Sequence, residues 1–131
     1  MSWAQEAESA AEGKAEGPSV YYLEIVTPDV EGACELYGSF YDVTFGDPIP
    51  AFGGARTAPR KDGGLMGIRA PLRADEKPVI RPYFLVEDID AAIVKATDSG
   101  ALLAVPALPI EGHGRFAVLI QNGIEWGLWE S

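Results

Sequence analysis

The residues with chemistry to offer fall on two matched stretches. Val20-Tyr21-Tyr22-Leu23-Glu24-Ile25-Val26 carries a tyrosine and a glutamate two residues apart. Ile80-Arg81-Pro82-Tyr83-Phe84 carries an arginine and a tyrosine at the same spacing. On a strand, side chains two apart share a face. A glutamate enclosed on such a face rises in pKa and can act as a general base, with Tyr83 or His113 as its partner in acid–base work. The plainer reading makes Glu24 and Arg81 a structural ion pair, because a half-buried charge needs a partner. Tyr22, Tyr83 and Trp129 have flat faces that stack on a planar ligand or simply fill a core. Cys34 has no His or Lys beside it and reads as a small buried thiol. His113, between two glycines, reads as an exposed loop histidine, with a lid or proton-shuttle role second. It is the only histidine, so it cannot by itself build a metal site of three or more protein ligands.

The elements that hold these residues come as a duplication. Shifted by 59 positions, residues 80–131 fall on 21–72 without a gap. Asp29 then meets Asp88, Ala33 meets Ala92, Gly53 meets Gly112, Arg56 meets Arg115 and Gly64 meets Gly123. The hydrophobic phase is kept throughout, which points to two copies of one supersecondary unit. In the first copy Val20–Val26 reads as a strand and Asp29 as a helix N-cap. Val30, Ala33, Cys34 and Tyr37 then form one apolar helical stripe. Strands are expected at Val43–Phe45, near 56–60 and at 65–70, with a turn at Asp62-Gly63-Gly64. The second copy repeats the order: strand Ile80–Val86, cap Asp88, a helix closed by Gly100, then Leu102–Val105, Arg115–Ile120 and Ile124–Trp129. Asn122-Gly123 is a strong hairpin signal between the last two. The unit is βαβββ, present twice.

Composition sets the outer bounds. A chain of 131 residues, 47% hydrophobic with a mean hydropathy of +0.03, suits one compact soluble domain. That domain is expected at 19–131, with module one at 20–72, a linker at 71–79 and module two at 80–131. Residues 1–18 read as a flexible acidic tail in which Trp3 is the one docking candidate. Twenty acidic residues against ten basic ones give a net charge of −10, which repels nucleic-acid phosphates and anionic membranes. No apolar run is long enough to span a bilayer. One cysteine and no visible signal peptide point to the cytoplasm.

The chain resembles the vicinal-oxygen-chelate superfamily of glyoxalase I, extradiol dioxygenases, and fosfomycin and bleomycin resistance proteins. Val26-Thr27-Pro28-Asp29 leading to Leu36-Tyr37 carries the resemblance, as do Val86-Glu87-Asp88-Ile89-Asp90-Ala91-Ala92 and Gly112-His113-Gly114-Arg115-Phe116 before Gln121-Asn122-Gly123. It covers about 20–131. The resemblance implies an α+β fold in which two βαβββ modules curl one sheet into a cup, with the helices outside. It also implies where a divalent metal sits in members that bind one. A His or Gln seven residues before the capping Asp supplies one ligand, and a Glu in each module's last strand supplies another. Here those positions are read as Tyr22 and Arg81, and Ile68 and Gly127, none a usual ligand. No metal and no other cofactor is expected, and metal-dependent glyoxalase I or dioxygenase chemistry is disfavoured.

Alternation places Tyr22, Glu24 and Val26 toward the cup and Tyr21, Leu23 and Ile25 under the helices. The 59-residue shift adds Arg81, Tyr83 and Leu85, and the last strands add Glu125, Trp129, Met66 and Ile68. The candidate ligand-binding set is therefore Tyr22, Arg81, Met66, Glu125 and Trp129, with Glu24, Tyr83 and His113 as candidate catalytic residues. The leading expectation is a metal-free protein that binds a small, partly aromatic molecule. The alternatives are a lyase, isomerase or hydroxylase-like enzyme of the same superfamily using Glu24, and a self-assembling interaction module. Homodimerisation fits all three.

Overall fold

Tyr, Val and Ile favour extended backbone, and Val20–Val26 forms strand β1. Pro28 and Asp29 end it. The Asp29 carboxylate accepts from the Gly32 N–H at 3.0 Å and starts helix α1, Val30–Tyr41. Asp88 accepts from the Ala91 N–H at 3.0 Å and starts helix α2, Ile89–Asp98, in the same way. The other strands are β2 (Arg56–Pro59), β3 (Leu65–Arg69), β4 (Val79–Leu85), β5 (Leu102–Ile110), β6 (Gly114–Gln121) and β7 (Ile124–Glu130). The computed structural model describes residues 2, 4–5 and 18–131. The expectation for the tail, Trp3 included, lies almost wholly outside the described residues.

The fold is α+β. Seven strands make one mixed sheet in the order β2-β3-β1-β4-β7-β6-β5. Within each module the last strand runs parallel to the first, β3 beside β1 and β7 beside β4. The modules join where β1 and β4 pair antiparallel, Tyr22 opposite Tyr83 and Glu24 opposite Arg81. Shifting by 59 turns the first of these pairs into the second, so the join is a local two-fold.

Helices α1 and α2 lie on the outer side. Cys34 of α1 packs with Ile25, Ala58, Met66 and Ile68. Ile89 of α2 packs with Ala117, Leu119 and Leu128. Cys34 is a buried member of the first cluster, and burial pushes its thiol pKa up, as fits a packing thiol. A third cluster, with Tyr22, Phe52, Tyr83, Val118 and Trp129, faces inward.

The first module departs from its expected pattern. Val43–Phe45 is not a strand, so that module contributes three strands to the sheet and the second contributes four. Its ladder is replaced by a side chain: Arg56 donates to the carbonyls of Gly46 at 2.9 Å and Phe45 at 3.2 Å. One backbone bond remains there, from the Gly46 N–H to the Thr57 carbonyl. In the second module, β5 runs on to Ile110 instead of stopping at Val105. It is the outermost strand and is bulged twice, so Pro106 and Pro109 cost it no essential ladder bond. The Asn122-Gly123 hairpin forms as read, with φ of 51° and 81° at its two turn residues.

Tyr21 also moves. A register shift between Val20 and Tyr22 turns it out of the helix-side set, and its ring lies 5.3 Å from that of Trp129.

Ile68 is fully buried under α1. Ile68→Ala should cost about 2–5 kcal/mol of folding stability, read from urea unfolding curves. A smaller loss would mean that the helix-side core collapses around the cavity.

Candidate functional site

The inner face of the sheet encloses a cavity of about 370 Å³. Its walls are aromatic. Phe52 and Trp129 have ring centroids 5.7 Å apart, Tyr22 stands edge-on to Phe52 at 5.3 Å, and Tyr83 stands edge-on to Trp129 at 5.9 Å. Phe116 closes one side.

The floor is charged. Glu24 on β1 accepts from Arg69 Nε on β3 at 2.8 Å through one carboxylate oxygen. Its other oxygen accepts from Arg81 Nη1 on β4 and from the Tyr83 hydroxyl at 3.0 Å. Arg81 reaches on to Glu125 of β7 at 2.8 Å. Arg69 reaches the other way, to Glu76 in the linker, through two parallel bonds of 2.9 Å. The result is an alternating row, Glu76, Arg69, Glu24, Arg81, Glu125, that crosses four adjacent strands. Its centre is dry: the side chains of Glu24, Arg69 and Arg81 are 8%, 7% and 9% exposed.

This arrangement decides what Glu24 can do. Both of its oxygens are held by guanidinium groups, and one also by a phenol. A general base needs a lone pair aimed at substrate, and here three of about four face protein donors. Burial, reinforced by the nearby Glu24 carboxylate, pushes the pKa of both Tyr22 and Tyr83 well above the ordinary tyrosine value. The two phenols are therefore donors at neutral pH. Among the described residues, the Tyr22 hydroxyl and Arg81 Nε are buried polar atoms with no hydrogen-bond partner.

Glu24, Tyr83, Tyr22, Arg81, Glu125 and Trp129 all line the cavity, as alternation suggests. Met66 does not. It packs under α1, because β3 pairs Gly67, not Met66 or Ile68, with the cup-facing Glu24. On β7, Gly127 pairs with Tyr83. The repeat offset is therefore 59 between β1 and β4 but 60 between β3 and β7, so a constant shift turns β3 over. His113 is not a lining residue either: its ring packs edge-on against Phe52 at 4.8 Å, and its carbonyl accepts from the Trp129 indole at 2.9 Å. It is half-buried, not an exposed loop residue.

Arg69, Phe52 and Glu76 were not foreseen. An offset of 60 would have matched Arg69 with Trp129 and put it in the cup. Nothing in the sequence marks Glu76 or Phe52, which come from a linker and a loop. Arg56 and Arg115 are both structural. Arg115 ties Glu130 and Asp90 together, while Glu130 accepts from the Ile89 N–H at the start of α2.

The seven-stranded sheet, curled round its cavity with the helices outside, is a glyoxalase-like cupped sheet. No protein-family model matches the sequence. The chain is similar to CFP32 of Mycobacterium bovis and of Mycobacterium tuberculosis, a protein provisionally called a glyoxylase. The identity is 26% over 116 residues, which cover 84% of this chain and 44% of the relatives. The chain thus spans less than half the length of the curated relatives it matches. Among solved structures, hypothetical protein BH1468 of Bacillus halodurans superposes with a TM-score of 0.71 at 13% identity, covering 88% of this chain and 96% of that one. Methylmalonyl-CoA epimerase of Streptomyces coelicolor gives 0.62 at 20% identity, covering 86% and 96%. The Mycobacterium tuberculosis epimerase gives 0.64 at 19%, covering 85% and 86%. These structural likenesses are of fold.

The metal that some members carry can be tested against this donor set. The first-strand positions hold Tyr22 and Arg81. The last-strand positions on the cup face are Gly67 and Gly127, since register puts Gly67 and not Ile68 there. Two glycines offer no side-chain donor, and two buried guanidinium groups already bring positive charge to the floor. The space is also taken. A Cβ on Gly67 would collide with the Tyr22 hydroxyl, and one on Gly127 with the Tyr83 ring. These residues do not fit a divalent metal in the family position.

Glu24→Gln should cost about 3–5 kcal/mol of stability, because it leaves two buried guanidinium groups short of a partner. Glu125→Gln should cost at most about 1 kcal/mol, its side chain being 42% exposed. Equal losses in chemical denaturation would refute the idea that the row is anchored at its centre. A pH titration of stability offers a separate check. The Arg69 hydrogen bonds hold Glu76 down at about 2, from an ordinary 4.5. A depressed carboxylate stabilises the fold above its unfolded pKa and loses that contribution as pH falls through its folded one. Stability should therefore drop more steeply between pH 4.5 and 2 in the native protein than in Glu76→Gln.

Proposed function

We propose that this chain is a metal-independent, glyoxalase-like binding protein whose cup takes a small, partly aromatic molecule. The observation that carries the reading is the row of paired charges where a metal site would stand, roofed by aromatic walls around an open cavity. A cavity of about 370 Å³ lies at the small end of the range for ligand sites, and a few polar groups among apolar walls is their usual make-up. A bulky coenzyme ester of the kind named for the epimerases would fit there only by its acyl end. The glyoxylase name of the mycobacterial relatives is compatible with a small oxygen-rich or carbonyl-bearing ligand.

Acid–base catalysis by Glu24 is the weaker reading, because Arg69, Arg81 and Tyr83 already donate to its two oxygens. The homodimer is carried as part of the proposal, since β2 and β5 leave two open sheet edges. No helix among the described residues is long and apolar enough to cross a membrane.

Native mass spectrometry of the protein purified without chelator, followed by Trp fluorescence titration with small aromatic compounds, tests the proposal. The expected result is a metal-free dimer mass, with at least one aromatic compound bound equally well with and without EDTA. Binding that disappears in EDTA and returns with a divalent ion would overturn it.

A further inference from the structure

The linker between the modules contains an oddity. From 72 to 78 every residue is exposed except Glu76, which alone turns inward. Its carboxylate accepts both outer nitrogens of Arg69 at 2.9 Å and the Leu72 N–H at 2.7 Å. A planar guanidinium edge with a backbone N–H beside it is a carboxylate-binding site by its chemistry. Here the carboxylate comes from the protein itself.

Arg69 does not need Glu76 to stay in place. Its Nε is bonded to Glu24 at 2.8 Å, and Nη1 also donates to the Ala70 carbonyl at 3.2 Å. The outer edge is therefore preorganised, and Glu76 covers it from a segment with little else to hold it. The one backbone bond within 72–78 is local, from the Glu76 N–H to the Arg73 carbonyl. Arg69 also passes close to Gly53, next to the Phe52 ring, so the guanidinium edge and the aromatic wall belong to one cavity.

We propose that Glu76 is an internal stand-in for a ligand carboxylate: Arg69 and the Leu72 N–H form a carboxylate site at the edge of the cup, filled by the linker until an aryl carboxylate displaces it. This rests on the reading of the cup as a small-molecule site and narrows the ligand to a small aromatic acid. The ring lies against Phe52 and Trp129 while the carboxylate takes the place of Glu76. Exchange of one carboxylate for another keeps the charge row balanced and releases the Glu76 side chain into water, while the Leu72 N–H stays in the site. A tethered competitor acts at an effective concentration of order millimolar, so it weakens ligand binding without abolishing it.

The test compares phenylacetate with its neutral amide, phenylacetamide, on the full chain and on Glu76→Ala, by Trp fluorescence titration and by thermal unfolding. Glu76→Ala should bind phenylacetate at least tenfold more tightly than the native chain, with phenylacetamide affinity unchanged between the two. Phenylacetate should also raise the melting temperature of the variant more than that of the native protein. If Glu76→Ala does not fold, Glu76→Gln is measured in its place. Equal phenylacetate affinity in native and variant proteins would overturn the stand-in role. Binding of phenylacetamide but not phenylacetate to both would overturn it while leaving the cup reading intact. Failure of both probes on both proteins would overturn the cup reading along with it.

Discussion

Five charges of alternating sign, crossing four adjacent strands, are the constraint around which the inner face is built. A lone buried glutamate or arginine would be prohibitively costly, and even a pair seldom stabilises a fold outright. The row answers this by giving each buried charge partners from neighbouring strands and the linker, and by bringing its Glu125 end to solvent. Glu24 sits at the centre with Arg69 on one side and Arg81 on the other. Register between β3, β1, β4 and β7 is thereby tied to charge pairing as well as to apolar alternation. A slip of one residue in any of these strands would bury an unpaired charge.

The aromatic wall depends on the same register. Tyr22 and Tyr83 oppose each other across the module join and lean over Gly67 and Gly127. Each ring takes the space a side chain at the glycine would need. Tyrosine on one strand and glycine on the next are one packing solution made twice, once per module. It yields a cavity floor of phenols and guanidinium groups, suited to holding a ligand by hydrogen bonds and stacking.

Much of the fold was legible in the chain. Asp29 and Asp88 cap their helices as read, Asn122-Gly123 turns its hairpin, and the doubled order of elements gives the cupped sheet. These features are local, or follow from periodicity, and survive two copies having drifted apart in detail. Tyr22, Glu24, Arg81, Tyr83, Glu125 and Trp129 were legible too, by alternation within each strand. The bulge beside Tyr21 turned that residue from its expected face, and Val26 and Leu85 fall outside the cavity lining. β3 was not legible. Its face was inferred from a repeat offset of 59, and a single residue of slack between the strands raised that offset to 60. Met66 was thereby placed in the cup and Arg69 left out. Val43–Phe45 had strand composition, yet the Arg56 guanidinium took the carbonyls its ladder would have used.

The sequence by itself determined the modules, their capped helices and hairpins, and the presence of Tyr22, Glu24, Arg81 and Tyr83 on one face. It did so because short-range periodicity and capping depend on residues within a few positions of each other. Only the tertiary structure decided that Arg69 and Glu76 complete the charge row, that glycines accept the tyrosine rings, and that His113 stands outside the cup. Those facts depend on which strands become neighbours and on how a linker folds back over them. The pairing of Glu24 with Arg69 is set by strand neighbours far apart in sequence, and no local pattern records it.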